Sequence, residues 1–183
     1  TAEPTVQPTA VPSEIPSETA APVTSTPSVN SEKTPAPKKG TEIKVKDGTV
    51  YKITKSGKKN GTVSYYQAGK RCKGKVTVPS TVKLQGITYQ VTSIADKAFK
   101  NNKKITVIVI NGNICSIGKQ AFYGCKNVKK IVIKTSKLSS KTIASNAFKK
   151  LSTKLKIQVP KGKKKLYHTL FQSKGLSKKV KFY

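Results

Sequence analysis

Apolar positions in the second half of this chain recur with a period too long for one helix or one strand. The phrases "SIADKAFKNN" from Ser93, "SIGKQAFYGC" from Ser116 and "TIASNAFKKL" from Thr142 share an isoleucine, a small residue, two polar positions and Ala-Phe. Their shared positions are Ile94, Ala98 and Phe99, then Ile117, Ala121 and Phe122, then Ile143, Ala147 and Phe148. The isoleucine-to-alanine spacing of four predicts one face of a single helical turn. Nine and eleven residues beyond each phenylalanine stand Ile108 and Ile110, Ile131 and Ile133, and Ile157 and Val159, preceded by Ile105, Val128 or Leu155. That alternation predicts a short strand. Successive phenylalanines lie 23 and 26 residues apart. One such unit cannot cover its own apolar edge, so the copies must stack. The phenylalanines then form one interior column and the isoleucines another. Ala95, Gly118 and Ala144 sit where neighbouring coils approach closely.

This pattern resembles the leucine-rich repeats of bacterial surface proteins of the BspA type. The second unit, Ile117 to Ile133 with Gly118, Ala121, Phe122 and Cys125, matches that pattern almost throughout; the first has Asn102 at the cysteine position and the third Leu151. Upstream, "KVTVPSTVKLQGITYQVTSI" looks like a leading strand at 76–78, a proline and a hairpin. The resemblance spans roughly 74–160. It implies a leucine-rich-repeat solenoid, α/β to mostly β, with short parallel strands stacked on one face and short helical turns on the other. Cys125 then occupies a buried repeat position. The family is defined by its repeat and not by a shared reaction.

Terminal coils need caps. In front, "TVYKITKSGKKNGTVSYYQA" alternates around Asn60-Gly61 and predicts a hairpin with strands at 49–54 and 62–67. Behind, the spacing predicts a helix with Leu166, Tyr167, Leu170 and Phe171 on one face, Gly175 just past its end, and a final strand through Val180 and Phe182. The expected organisation is a disordered Pro/Thr/Ser-rich linker at 1–39, an N-terminal β cap and leading strand at 40–88, three repeats at 89–160, and a helix-strand cap at 161–183.

Composition supports the linker. Eight of the ten prolines and twelve Ser and Thr fall in the first 37 residues, with no aromatic residue, so this stretch cannot bury a core. It reads as a stalk, and with no Met at position 1 the chain reads as a processed or trimmed product of the bacterial cell surface or exterior. The longest apolar run, Val107 to Ile110, is far too short to span a membrane. Charge is segregated as well: the first 37 residues carry four Glu and one Lys, the rest 36 basic and three acidic residues. Such a balance implies polyanionic surroundings. A solubilising lysine coat is the plain alternative. Arg71 is the lone arginine, which counts against a sequence-reading nucleic-acid binder, since lysine acts as a point charge and not as a bidentate fork.

Catalytic constellations are missing from the pattern. His168 lies on the polar side of the expected last helix with no acid nearby in sequence. Cys72, Cys115 and Cys125 form no Cys-x-x-Cys pair, so no metal site is expected; a Cys115–Cys125 disulfide is conceivable. Ser56-x-x-Lys59 and Ser116-x-x-Lys119 mimic an acylase motif without its partner motifs. Glu42, Asp47 and Asp96 are scattered, and no glycine-rich phosphate loop appears. Neither an enzyme nor a cofactor is expected.

Solenoids bind on their stacked strands. The outward positions there are Thr77 from the leading strand, Val107 and Val109, Lys130 and Val132, and Lys156 and Gln158. An apolar centre rimmed by lysine suits a host or envelope protein, or an acidic glycan. Val107 and Val109 as plain strand formers under a covering segment is the competing account. Non-specific polyanion or nucleic-acid binding through lysine is the alternative function.

Overall fold

The computed structural model describes residues 35–183, so the expectations for residues 1–34 lie outside it. In chain order the elements are β1 (Glu42–Lys44), β2 (Val50–Lys55), β3 (Thr62–Gln67), β4 (Gly74–Val78), β5 (Thr81–Leu84), β6 (Ile87–Ile94), β7 (Ile105–Ile110), β8 (Ser116–Ile117), β9 (Lys130–Ile133), β10 (Lys156–Gln158), α1 (Lys164–Ser173) and β11 (Lys181–Phe182). The chain forms a solenoid, as the repeat spacing requires.

Two ladders hold the coils together. The repeat sheet runs β11-β10-β9-β7-β4 with every pair parallel. Its inward row is Val76, Ile108, Ile131, Ile157 and Phe182, strand beside strand, and all five are buried. The front sheet runs β1-β2-β3-β6-β5, with β8 pairing β6. Through it a second ladder passes from Tyr65 to Ile94, Ile117 and Ile143. Period-two alternation at the strands places these residues inside.

The segments between the ladders depart from the helical turn expected from the Ile-to-Ala spacing. Around Ala98 and Phe99 the chain forms consecutive tight turns, and Ile94, Ile117 and Ile143 belong to the second ladder. Lys97, Gln120 and Asn146, each just before the repeat alanine, have φ of 57°, 56° and 56°; Asn101, Gly124 and Lys150, two past the phenylalanine, have 58°, 72° and 61°. Left-handed residues at fixed places turn alternate N–H groups outward. Those of Lys97, Phe99 and Asn101 donate to the carbonyls of Lys119, Ala121 and Tyr123 on the next coil, at 2.9, 2.8 and 2.7 Å. Those of Lys100 and Asn102 close local turns onto Lys97 and Phe99. A helix satisfies its backbone within one segment and offers the next coil nothing. Stacking therefore selects the turn.

The interior carries a column of rings. Phe99, Phe122 and Phe148 stack at centroid distances of 5.3 and 5.6 Å with planes within 16° of parallel. Tyr65 of the front hairpin extends it at 4.9 Å and Phe171 of α1 closes it at 4.4 Å. Both ends of the stack thus receive an aromatic from a non-repeat element, so no repeat phenylalanine faces water. Cys125 fills the space beside this column and donates its thiol to the Phe99 carbonyl at 2.9 Å. Gly118 meets the preceding coil so closely that a Cβ there would overlap the backbone N and carboxylate of Asp96. That carboxylate accepts the Lys119 N–H at 2.6 Å.

At the front, β2 and β3 pair antiparallel with Tyr51 opposite Tyr65 and Ile53 opposite Val63. The short β1, not anticipated from the sequence, adds to the edge of β2. The β5–β6 hairpin turns at Gln85 and Gly86, whose φ values of 48° and 81° are those of a two-residue primed turn. At the back, α1 buries Tyr167, Leu170 and Phe171. Leu166, expected on that face, points to solvent and is 52% exposed. Tyr167 anchors the helix by donating to the Thr135 carbonyl at 2.9 Å and accepting the Leu138 N–H at 3.3 Å.

Candidate binding face

The outward side of the repeat sheet presents two rows in register. Lys75, Val107, Lys130, Lys156 and Lys181 occupy one, each beside the next. Thr77, Val109, Val132 and Gln158 occupy the other. The parallel pairing brings all seven residues expected on this face onto it, and it adds Lys75 and Lys181. Each sits on a strand flanking the three-repeat alignment, so repeat comparison alone does not reach them.

Burial within the face is uneven. Thr77, Lys156 and Gln158 are exposed, and Val107, Lys130 and Val132 are half-buried. Val109 is only 8% exposed, yet it lies outside the core cluster. Its cross-strand neighbours on the face are Thr77 and Val132. Val109 therefore exposes little area of its own on the face.

Neighbouring strands in a sheet lie about 4.8 Å apart, so the backbones of Lys130, Lys156 and Lys181 follow one another at nearly that spacing and carry three like charges on flexible stems. Like charges directly opposite one another destabilise a sheet. A bound anion removes that repulsion. The Asp and Glu side chains of the described part are held elsewhere: Glu42 pairs with Lys52 at 3.0 Å, Asp47 accepts the Thr49 N–H, and Asp96 accepts that of Lys119.

Beside this row lies a groove of about 760 Å³ lined by Lys126, Asn127, Lys129, Lys130, Lys154 and Lys156, with Thr106, Val128, Ser152 and Tyr183 completing its wall. Tyr183 is 47% exposed, and the Lys130 ammonium stands 5.7 Å from its ring centroid. Its backbone continues the ladder, donating to the Ile157 carbonyl at 3.0 Å. On the opposite side of the coils, Tyr123 lies between Lys100 and Lys150 at 5.5 and 5.3 Å, and hydrogen bonding to Lys150 lowers its phenol pKa.

The residues weighed for chemistry are dispersed. His168 is half-buried, not freely exposed; its ring meets the edge of Phe182 at 5.0 Å and its Nε2 lies 3.1 Å from the Gln172 amide. Neither neighbour is an acid or a nucleophile. Cys72, Cys115 and Cys125 are all free thiols, with no Cys115–Cys125 bond. Burial pushes the Cys125 thiol up to about 11. Among the described residues no group of three or more His, Cys, Asp or Glu could hold a metal ion, and no helix is long and apolar enough to cross a membrane.

Parallel in-register strands, an interior column of one repeated side chain and coil-to-coil hydrogen bonds through the turns define a leucine-rich-repeat type of solenoid protein. The chain belongs to the BspA-type family: the BspA type leucine rich repeat region matches residues 79–182 in six copies. That count exceeds the three units of the Ala-Phe alignment. A solved leucine-rich repeat protein from Bacteroides capillosus is 20% identical, with a TM-score of 0.50 over 78% of this chain and 98% of that one. A leucine rich cell surface protein from Faecalibacterium prausnitzii is 21% identical, with a TM-score of 0.48 over 67% of this chain; the chain spans only 37% of that protein. The pneumococcal vaccine antigen PcpA is 21% identical, with a TM-score of 0.45 over 70% of this chain and 40% of its own. No curated protein matches the sequence significantly.

Proposed function

We propose that this protein is a non-enzymatic binding module of a bacterial surface, presenting its lysine-rich strand face to a protein or acidic-glycan ligand. The observation that carries this reading is the in-register lysine row at Lys75, Lys130, Lys156 and Lys181 on a broad sheet face. Parallel pairing at fixed register makes the backbone of that face rigid, so the flexible lysine stems start from fixed, adjacent points. Membership of a repeat family with surface character and the Pro/Thr/Ser-rich leading segment support an exterior location.

The test uses the full chain on an array of host matrix proteins and acidic and neutral glycans. Lys130→Glu combined with Lys156→Glu is expected to weaken binding at least about tenfold, and raised salt weakens it further. Lys97→Glu with Lys119→Glu, on the turn side, is expected to weaken it far less. Equal losses from the two pairs leave only a diffuse cationic coat. Tight, sequence-dependent binding to duplex DNA at physiological salt overturns the reading in favour of nucleic acid.

A further inference from the structure

We infer that the groove between the front ends of β9 and β10 is a subsite for one anionic pyranose unit of a linear acidic polysaccharide. This rests on the strand-face reading above and narrows it. Five lysines line the groove and no Asp or Glu side chain does. Lys130 and Lys156 are direct cross-strand neighbours, so their ammonium groups can close on a single anionic substituent about 5 Å across. Lys181, next in register beyond Lys156, meets the following one.

Charge alone does not choose a saccharide; Tyr183 does. Only two large apolar side chains are exposed among the described residues, Leu166 and Tyr183, and Tyr183 walls this groove. Its ring offers a flat apolar surface for the C–H face of a sugar, beside lysines that take the sugar's carboxylate or sulfate. The Ser152 hydroxyl accepts the Lys154 N–H at 3.2 Å, and its own O–H remains a donor for a sugar oxygen. A phosphate-only polymer has no face to place on the ring. Single-stranded nucleic acid uses a series of aromatics for successive bases, and this groove holds one. A protein hot spot is a desolvated, well-packed pocket, whereas the groove is mostly ammonium.

The experiment titrates the full chain with polygalacturonate, dextran sulfate, inorganic polyphosphate and poly(dT) between about 50 and 200 mM salt. Tyr183→Ala is expected to weaken both saccharides about fivefold, the scale of one aromatic contact. Their salt dependence is then unchanged, because the ring carries no charge, and polyphosphate affinity is unaffected. Tyr183→Phe restores the saccharides. Lys130→Gln with Lys156→Gln flattens the salt dependence of every ligand by a slope of about 1–2. The tighter of the two saccharides identifies the anionic group as carboxylate or sulfate. If Tyr183→Ala leaves both saccharides unchanged while the lysine pair still matters, the subsite fails and the strand-face reading stands. If the lysine pair changes nothing, the strand-face reading fails as well. Poly(dT) binding tighter than both saccharides at the upper salt overturns the assignment in favour of nucleic acid.

Discussion

Removing the central ring of the interior column tests the architecture most directly. Phe122 is fully buried and touches a stacked ring on each side, at 5.3 and 5.6 Å. Burial of a phenylalanine replaced by alanine costs about 3–5 kcal/mol, transfer and cavity terms together. Here the upper half of that range applies. The flanking rings are tied to separate coils by backbone ladders, and neither can move into the void without breaking inter-coil hydrogen bonds such as Phe122 N–H to Ala147 O at 3.0 Å. Phe122→Ala is therefore expected to lose about 4 kcal/mol against a total of about 5–15 kcal/mol for a domain. Because coils touch only their neighbours, the loss also uncouples front from back. Urea unfolding followed by far-ultraviolet circular dichroism and by tyrosine fluorescence reads both effects. The chain has no Trp, and four of its seven tyrosines, Tyr51, Tyr65, Tyr66 and Tyr89, lie in the front, so the fluorescence is weighted towards that end. The two transitions are expected to coincide in the unmodified chain and to separate in the variant. Leu166→Ala, at an exposed site, serves as the control and stays within about 0.5 kcal/mol. A Phe122→Ala loss below about 1.5 kcal/mol with a single coincident transition refutes a ring column that carries the stack.

Gly118→Ala is expected to cost about 1–3 kcal/mol, although the equivalent positions hold Ala95 and Ala144, because its Cβ would overlap Asp96. In an Asp96→Ala background the carboxylate overlap is relieved while those with the backbone of Asp96 and Ala95 remain, so the cost should shrink only in part, and a urea double-mutant cycle showing no coupling would refute the carboxylate contact. The Cys125 thiol, raised by burial from 9.0 to about 11, links stability to alkali. Its folded pKa lies above its unfolded one, so its contribution is whole below pH 9 and is lost as pH rises through about 11. The gap in urea midpoint between the unmodified chain and Cys125→Ala should narrow across that window and stay constant below it. A gap that widens with pH contradicts the assignment.

Much of the fold was legible in the order of residues. The Ala-Phe spacing announces a stacked interior, the alternation on either side of Asn60-Gly61 a hairpin, and Tyr167, Leu170 and Phe171 a helical face, although the hairpin closes through residues 56–61 and not through a two-residue Asn-Gly turn. The turns were not legible. Ile94 and Ala98 have helical spacing, yet the intervening Asp96 and Lys97 serve the neighbouring coil, and no local pattern encodes a hydrogen bond to a residue 22 positions away (Lys97 to Lys119). Leu166 matched the helical period but fell on the solvent side, because Tyr167 is fixed by Thr135 and Leu138 and that anchor sets the rotation of α1. On the binding face, the outward positions followed from alternation within each strand. Lys75, Lys181 and Tyr183 did not, because their membership of the face comes from pairing with strands distant in sequence.

By itself, then, the sequence determined the repeat, its interior side chains and the sign of its surface, since each is a matter of periodicity and composition within one unit. Tertiary structure decided which backbone groups bond between coils, which rings close the ends of the column, and which lysines stand side by side. Those outcomes depend on inter-coil register. Register is set by all the coils together, when buried rows and backbone ladders must be satisfied at once.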